Sequence, residues 1–230
     1  PPGGPTPPDG ATPPGAATPP GAATPPDAAT PPDGPTPSAP FDDATLLAAL
    51  QAEAAATPPG AEGLLTVHDW AAPVDAPFRK GAVLGFDGRH TRAHMYRSLL
   101  EGIALRLRAH MEPMAEALGR PWTEIVVSGG GAHSDLMMQI LADCLGVPTV
   151  RNERPDSAGV GCAILAGLAA GMFASTRAAT ERLVHRSTTF VPDPTCIDTY
   201  DRLAAIESGA HAHLDPINTQ LDDLEARPER

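Results

Sequence analysis

The sequence predicts an α/β domain preceded by a disordered, proline-rich arm, and three observations carry that reading. Residues 124–150 read as strand, glycine turn, helix and second strand. Residues 91–118 repeat large apolar side chains at helical steps. The first forty residues are a hexapeptide repeat with nothing to bury.

In the central stretch, Ile125-Val126-Val127 is β-branched and suits a buried strand. Gly129, Gly130 and Gly131 follow, where the absence of a Cβ lets the chain turn sharply and lie against a ligand. Ser134 stands at an N-cap position, with Asp135 in the first turn favouring the positive end of the helix dipole. Leu136, Met137, Ile140, Leu141, Cys144 and Leu145 recur at helical spacing until Gly146 and Pro148 stop the helix, and Thr149-Val150 begins another strand. Such units hold phosphates and nucleotides through backbone N–H groups at their tips. The tip is a poor Rossmann fingerprint, because Gly129-x-Gly131-x-x-Ser134 lacks the third glycine. Nor is it a P-loop, because no Gly-Lys-Ser/Thr follows. A plain βα turn without a ligand is the bland alternative.

Composition narrows the classes. The chain has 230 residues and a formal charge of −12, which argues against nucleic-acid or anionic-membrane partners. Cys144, Cys162 and Cys196 are odd in number and widely spaced, which suggests a reducing compartment without disulfides or a zinc site. No apolar run reaches membrane-spanning length and no secretory leader pattern is present, so a soluble cytoplasmic protein is expected.

Along the chain, 16 of the 28 prolines fall within residues 1–40, where threonines 6, 12, 18, 24, 30 and 36 keep a six-residue period. Proline denies this stretch backbone donors, so an extended arm is expected. The hexapeptide recurs once beyond it, as Ala56-Thr57-Pro58-Pro59-Gly60-Ala61, which suggests slippage of repetitive coding DNA as the arm's origin. Ordered chain is expected from Phe41, with a helix over Ala44–Ala56 and a strand at Leu64–Val67. An irregular loop from His68 to Lys80 and a strand over Ala82–Phe86 follow. Thr91 caps a long helix whose Met95, Leu99, Ile103, Leu107, Met111, Met114 and Leu118 form an expected core stripe, closed by Gly119. A helix over Ser157–Ala170, rich in alanine and glycine, predicts close packing against another element. Ser175 caps a short helix to Val184, residues 190–194 read as a loop, and a last helix from Ile197 is expected to break near Pro216. The expected organisation is an arm (1–40), a folded domain (41–205) and a helical, charged tail (206–230).

Four stretches together resemble the C-terminal half of the FGGY family of carbohydrate kinases, the group of xylulokinase, ribulokinase and glycerol kinase. They are Pro58–Leu65; Gly81–Phe86 continued by His90–Gly102; Ser128–Ser134 continued through Gln139, Ala142-Asp143 and Gly146-Val147-Pro148; and Asp156–Ala163 with Ala166-Gly167. The resemblance covers roughly residues 41–200, with Phe86 where the family usually has a smaller aliphatic. It implies the C-terminal lobe of an actin-like (ribonuclease-H-like) ATPase fold closing around ATP, as Mg-ATP, and a sugar or polyol. It also places Gly129, Gly130, Gly131 and Ala132 against the nucleotide, with Ser134 and Asp135 near the adenosine; helix capping is the alternative role for these two. The family's catalytic aspartate and phosphate motifs match nothing here, so no catalytic residue is assigned and a truncated or split form, inactive alone, is expected. A separately encoded partner lobe would restore the sugar site. The competing reading is a non-catalytic remnant or interaction module.

Other candidates carry less. His90 and His94 lie one turn apart, but no third ligand is placed, and no metal site is assigned. His133 reads as a solvent-facing loop residue, Glu101 as a buried polar anchor and Asp143 as structural. Arg151 and Arg154 near a strand end could meet phosphate, an ion pair being the simpler role.

Overall fold

A computed structural model describes residues 43–154 and 156–225, so the proline-rich arm lies outside the described residues. Helix α1 (Asp43–Ala55) runs into the Ala56–Ala61 hexapeptide. Strands β1 (Leu65–Val67) and β2 (Ala82–Leu84) pair antiparallel, Thr66 opposite Val83. The long helix α2 (Arg92–Leu118) follows. Next come β3 (Ile125–Val127), α3 (Asp135–Leu145) and β4 (Thr149–Asn152). Two helices, α4 (Ser157–Ala169) and α5 (Thr176–Leu183), lead to β5 (Arg186–Phe190) and the closing helix α6 (Ile197–Glu225). In the second sheet, order β3-β4-β5, β4 is parallel to β3 and antiparallel to β5. The core lies where α2, α3 and α6 meet, around Leu100, Leu105, Met137, Ile140, Leu141 and Tyr200.

The expected caps are in place. Thr91 starts α2 with extended backbone, and His94 Nδ1 accepts the Thr91 N–H at 3.1 Å. His90 is held likewise, its Nδ1 accepting the Asp87 N–H at 2.9 Å, so both rings serve the start of the helix. Gly119 and Gly146 end α2 and α3 in the left-handed region, at φ 65° and 66°.

Helix α2 departs from expectation in which face it buries. Of the seven apolar residues read as a core stripe, only Met111 is buried, while Ile103, Met114 and Leu118 are 39%, 53% and 54% exposed. The buried face carries Ala93, Arg97, Ser98, Glu101, Gly102, Ala104 and Leu105 instead. Small residues let β1 lie directly on the helix, Thr66 Oγ1 sitting 2.9 Å from Ser98 Oγ. One turn away, Arg97 Nε donates to Glu101 Oε1 at 2.8 Å, and Arg97 Nη1 donates to the carbonyls of Thr57 (2.8 Å) and Ala54 (3.2 Å). Glu101 Oε1 also accepts the Gly60 N–H at 3.0 Å and the Tyr200 hydroxyl at 3.1 Å. The expected polar anchor at Glu101 is therefore a network joining α1, α2 and α6. Burial pushes the Glu101 carboxyl above its ordinary value, against the pull of Arg97, the Gly60 amide and Tyr200.

The hexapeptide Ala56–Ala61 feeds an unusual turn in which Gly60, Ala61, Glu62 and Gly63 all have positive φ (85°, 45°, 53° and 94°). For Ala61 and Glu62 this costs about 1–2 kcal/mol per residue, and the Glu101 bond to Gly60 and complete burial of Ala61 hold them there.

Helix α6 passes without a break across Pro216, where the sequence predicts one. It is pinned on both sides of the proline. His211 Nε2 lies 2.7 Å from Asp69 Oδ2, and Arg79 grips Asp215 with two bonds of 2.9 and 2.8 Å. Lys80 reaches Asp222 at 3.5 Å. The Arg79 guanidinium holds the Asp215 carboxyl below its ordinary value. A depressed acid stabilises the fold above the unfolded pKa of about 3.9 and loses that contribution as pH falls through the lower folded value. Stability curves of the native chain and Asp215→Asn should therefore diverge at neutral pH and converge as pH falls through the depressed folded value; parallel curves throughout would contradict the pairing.

Helix α4 also differs from expectation. Only Ile164 and Gly167 are buried in it, Gly167 lying under the Phe173 ring, while Leu165 is 67% exposed. Strand β5 was not anticipated, because Arg186-Ser187-Thr188-Thr189 is polar, exposed and without alternation.

Candidate functional site

Strands β3 and β4 are parallel, so their C-terminal ends open on the same edge of the sheet, the edge where α/β proteins place ligands. At the end of β3 the chain turns at Gly129, with φ 89° and ψ −171°, a conformation for glycine alone. Gly130–His133 form a single 3₁₀ turn closed by Ala132 N–H to Gly129 O (3.1 Å) and Ser134 N–H to Gly131 O (3.2 Å). A Cβ built at Gly129 or Gly130 would meet no heavy atom within 4 Å, and at Gly131 it would meet only Met137 Cγ, at 3.9 Å. The turn thus presents bare backbone to open space. Ala132 beneath it is fully buried and anchors it to the domain.

Ser134 caps α3, its Oγ accepting the Met137 N–H at 3.2 Å, and is 8% exposed. The Asp135 side chain is 79% exposed and receives the Arg151 Nη2 bond at 2.6 Å. Arg151 lies 5.2 Å from the Phe190 ring centroid, and its buried Nε has no hydrogen-bond partner among the described residues. Arg151 is therefore engaged by an ion pair with the first turn of α3, the simpler of the two roles open to it.

Beside the turn lies a cleft of about 480 Å³. His133 comes from the turn, Glu153 and Arg154 from the end of β4, and Asp156, Gly159 and Val160 from the start of α4. Asp156 Oδ1 caps α4 by accepting the Gly159 N–H at 2.9 Å, and Ser128 Oγ donates to Ser157 Oγ at 3.1 Å, tying the end of β3 to the head of α4. The lining mixes cationic and anionic groups. The spacing of the glycines did not single out Glu153, Asp156 or Gly159 as neighbours of the turn. The signal that could have found them is the parallel pairing of β3 with β4, which brings the β4–α4 connection beside the β3–α3 connection.

The remaining candidates fall apart from this cleft. Asp143 is buried on α3, its Oδ1 accepting from Gln139 Nε2 and the Asp193 N–H, both at 2.8 Å. Among the described residues no group of three or more His, Cys, Asp or Glu side chains could hold a metal ion, and no helix is long and apolar enough to cross a membrane. Cys144 and Cys196 are buried and Cys162 exposed, all as free thiols, with burial pushing Cys144 up to about 12.

Strand, open glycine turn, capped helix and parallel strand make a single α/β unit. The chain belongs to the FGGY family of carbohydrate kinases, whose C-terminal domain matches residues 29–170. The Escherichia coli (strain K12) protein called uncharacterized sugar kinase YgcE is 33% identical over 154 residues, 67% of this chain and 31% of that protein. The crystal structure of xylulose kinase from Rhodospirillum rubrum superposes with a TM-score of 0.66 at 32% identity, covering 77% of this chain and 36% of that one. The Plasmodium falciparum glycerol kinase solved with ADP shares the fold, with a TM-score of 0.56 at 19% identity over 68% of this chain and 32% of that one. The architecture is accordingly that of the C-terminal part of an actin-like ATPase fold, and the chain spans about a third of the length of these relatives.

Proposed function

We propose that this chain supplies the nucleotide-binding part of an ATP-dependent kinase that phosphorylates an alcohol group of a sugar or polyol. The observation that carries the reading is the bare turn at Gly129, Gly130 and Gly131, open beside a cleft at the C-terminal edge of parallel strands. In this reading ribose and adenine approach the bare turn, where a side chain would keep them away, while Ala132, fully buried, supports it from beneath. Ser134 and Asp135 stand next to the adenosine, Ser134 through its hydroxyl and Asp135 through its exposed carboxylate. Magnesium would enter with the nucleotide as Mg-ATP and would supply charge neutralisation of the phosphates. The acceptor's base and the phosphate clamps belong to the two thirds of such a kinase that this chain does not span, and the cytoplasm is the proposed compartment.

A second observation favours assembly with that remaining part. β3 is an edge strand with Val126 49% exposed, and the most apolar helix, α4, leaves Leu165 67% exposed, with Met172 just beyond it at 73%. An open strand edge and an apolar helix face are surfaces on which further elements pack.

The test is a thermal titration of the full chain with Mg-ATP and Mg-ADP. A ligand that binds only the folded state raises the melting temperature as its concentration rises, adding about 2.7 kcal/mol at a hundred times its Kd. The native chain should show a saturable rise that Gly131→Trp removes without lowering the starting melting temperature, since the space above Gly131 is open. A chain that melts cooperatively yet ignores nucleotide would overturn the reading.

A further inference from the structure

A second cleft, of about 270 Å³, lies between the C-terminal half of α2, the end of α3 and the head of α6, and shares no lining residue with the cleft beside the glycine turn. Its apolar walls are Met111, Pro121, Trp122, Val147 and Ile197. The indole of Trp122 is fixed by its Nε1 donating to the Met111 carbonyl at 3.1 Å. The carboxylates of Glu112 and Asp201 stand at the same space, with Arg108 as the one cationic side chain among the lining residues, while the third acidic lining residue, Asp143, is buried and bonded to Gln139 and the Asp193 N–H. Arg108 is already committed: it donates to Glu112 at 2.9 Å, to Asp201 at 2.8 Å and to the Cys144 carbonyl at 3.3 Å. Two carboxylates share one guanidinium, so the lining keeps an excess of negative charge in an apolar cleft walled by an aromatic ring.

We propose that this cleft binds a small organic cation with an apolar body, of the arylalkylamine type. An anion would meet the carboxylates of Glu112 and Asp201 flanking a guanidinium that is paired with both. A neutral apolar molecule would leave the excess negative charge unbalanced. An ammonium group meets the acidic rim while its hydrocarbon packs on Met111 and Val147, and an indole adds attraction for a cation near its face. The volume suits a molecule of one ring and a short chain.

Trp122 and Trp70 are the two tryptophans of the chain, so Trp70→Phe leaves a single reporter in the cleft. In that background the full chain is titrated with phenethylamine, with its neutral isostere 2-phenylethanol and with phenylacetate, following indole emission. Phenethylamine should give a saturable change with a dissociation constant at least roughly tenfold below that of 2-phenylethanol, a factor worth about 1.4 kcal/mol, and phenylacetate none. Glu112→Gln and Asp201→Asn should each narrow that preference. Ala115→Phe, which fills the cleft from the half-exposed side of α2, should abolish binding in a chain that melts as before. Equal binding of the amine and the alcohol, a preference untouched by both charge-removing variants, or no saturable change up to about 10 mM would each overturn the proposal.

Discussion

Truncating Glu101 to alanine should cost about 3–5 kcal/mol, because it leaves a buried guanidinium facing only neutral partners. Arg97 and Glu101 side chains are 6% and 3% exposed, and the variant keeps Arg97 bonded to two carbonyls and the Tyr200 hydroxyl without a counter-charge. The Gly60 amide loses its acceptor at the same time, in a turn that already carries two non-glycine residues at positive φ. For a folded part of this size the melting temperature should fall by about 6–20 °C. Replacing both partners, as Arg97→Met with Glu101→Leu, removes the isolated charge, and such swaps are often close to neutral. The double variant should therefore recover at least half of the loss seen in Glu101→Ala by chemical denaturation. A single variant losing less than about 1 kcal/mol would place the pair among exposed ones.

Gly102→Ala should destabilise the chain although alanine is the better helix former by about 0.5–1 kcal/mol. The reason lies outside the helix. A Cβ at residue 102 would stand 2.5 Å from the Thr66 carbonyl oxygen and 3.2 Å from Thr66 Cβ, so the strand backbone itself must move. Thr66 is fully buried and paired with Val83, and moving it disturbs the bond to Ser98 as well. Overpacking of this kind costs about 1–3 kcal/mol, which outweighs the gain in propensity. The control is Gly209→Ala on α6, where a Cβ meets nothing within 4 Å and propensity alone should act, stabilising the chain. Melting the two variants side by side separates the effects by their opposite signs.

These two sites also show what the sequence could and could not display. Caps and stops were legible because they are local: Thr91, Ser134, Ser175, Gly119 and Gly146 act on atoms a few residues away. The glycine turn was legible for the same reason. The buried face of α2 was not, because large apolar side chains mark a core only when the neighbouring layer is distant; here β1 lies so close that alanine, serine and glycine form the contact. Glu101 was recognisable as an anchor, yet its partner Tyr200 is 99 residues away and no pattern connects them. Pro216 does not break α6, because the helix is pinned on both sides of it by ion pairs to residues 69, 79 and 80, contacts that offset the lost backbone bond. The walls of the cleft beside the glycine turn required knowing that β3 and β4 run parallel, a long-range fact.

The closing position of α6 has a consequence for biosynthesis. Tyr200 leaves the ribosome 103 residues after Arg97, and His211 follows Asp69 by 142. At about 5–20 residues per second, the nascent chain carries the Arg97–Glu101 pair without its last partner for roughly 5–20 s. During that interval the pair is held only by α1 and the turn after it, so a stalled translation product ending before residue 200 should be a ready substrate for chaperones and proteases. The domain is sealed from its C-terminal helix, and its quality control falls due late.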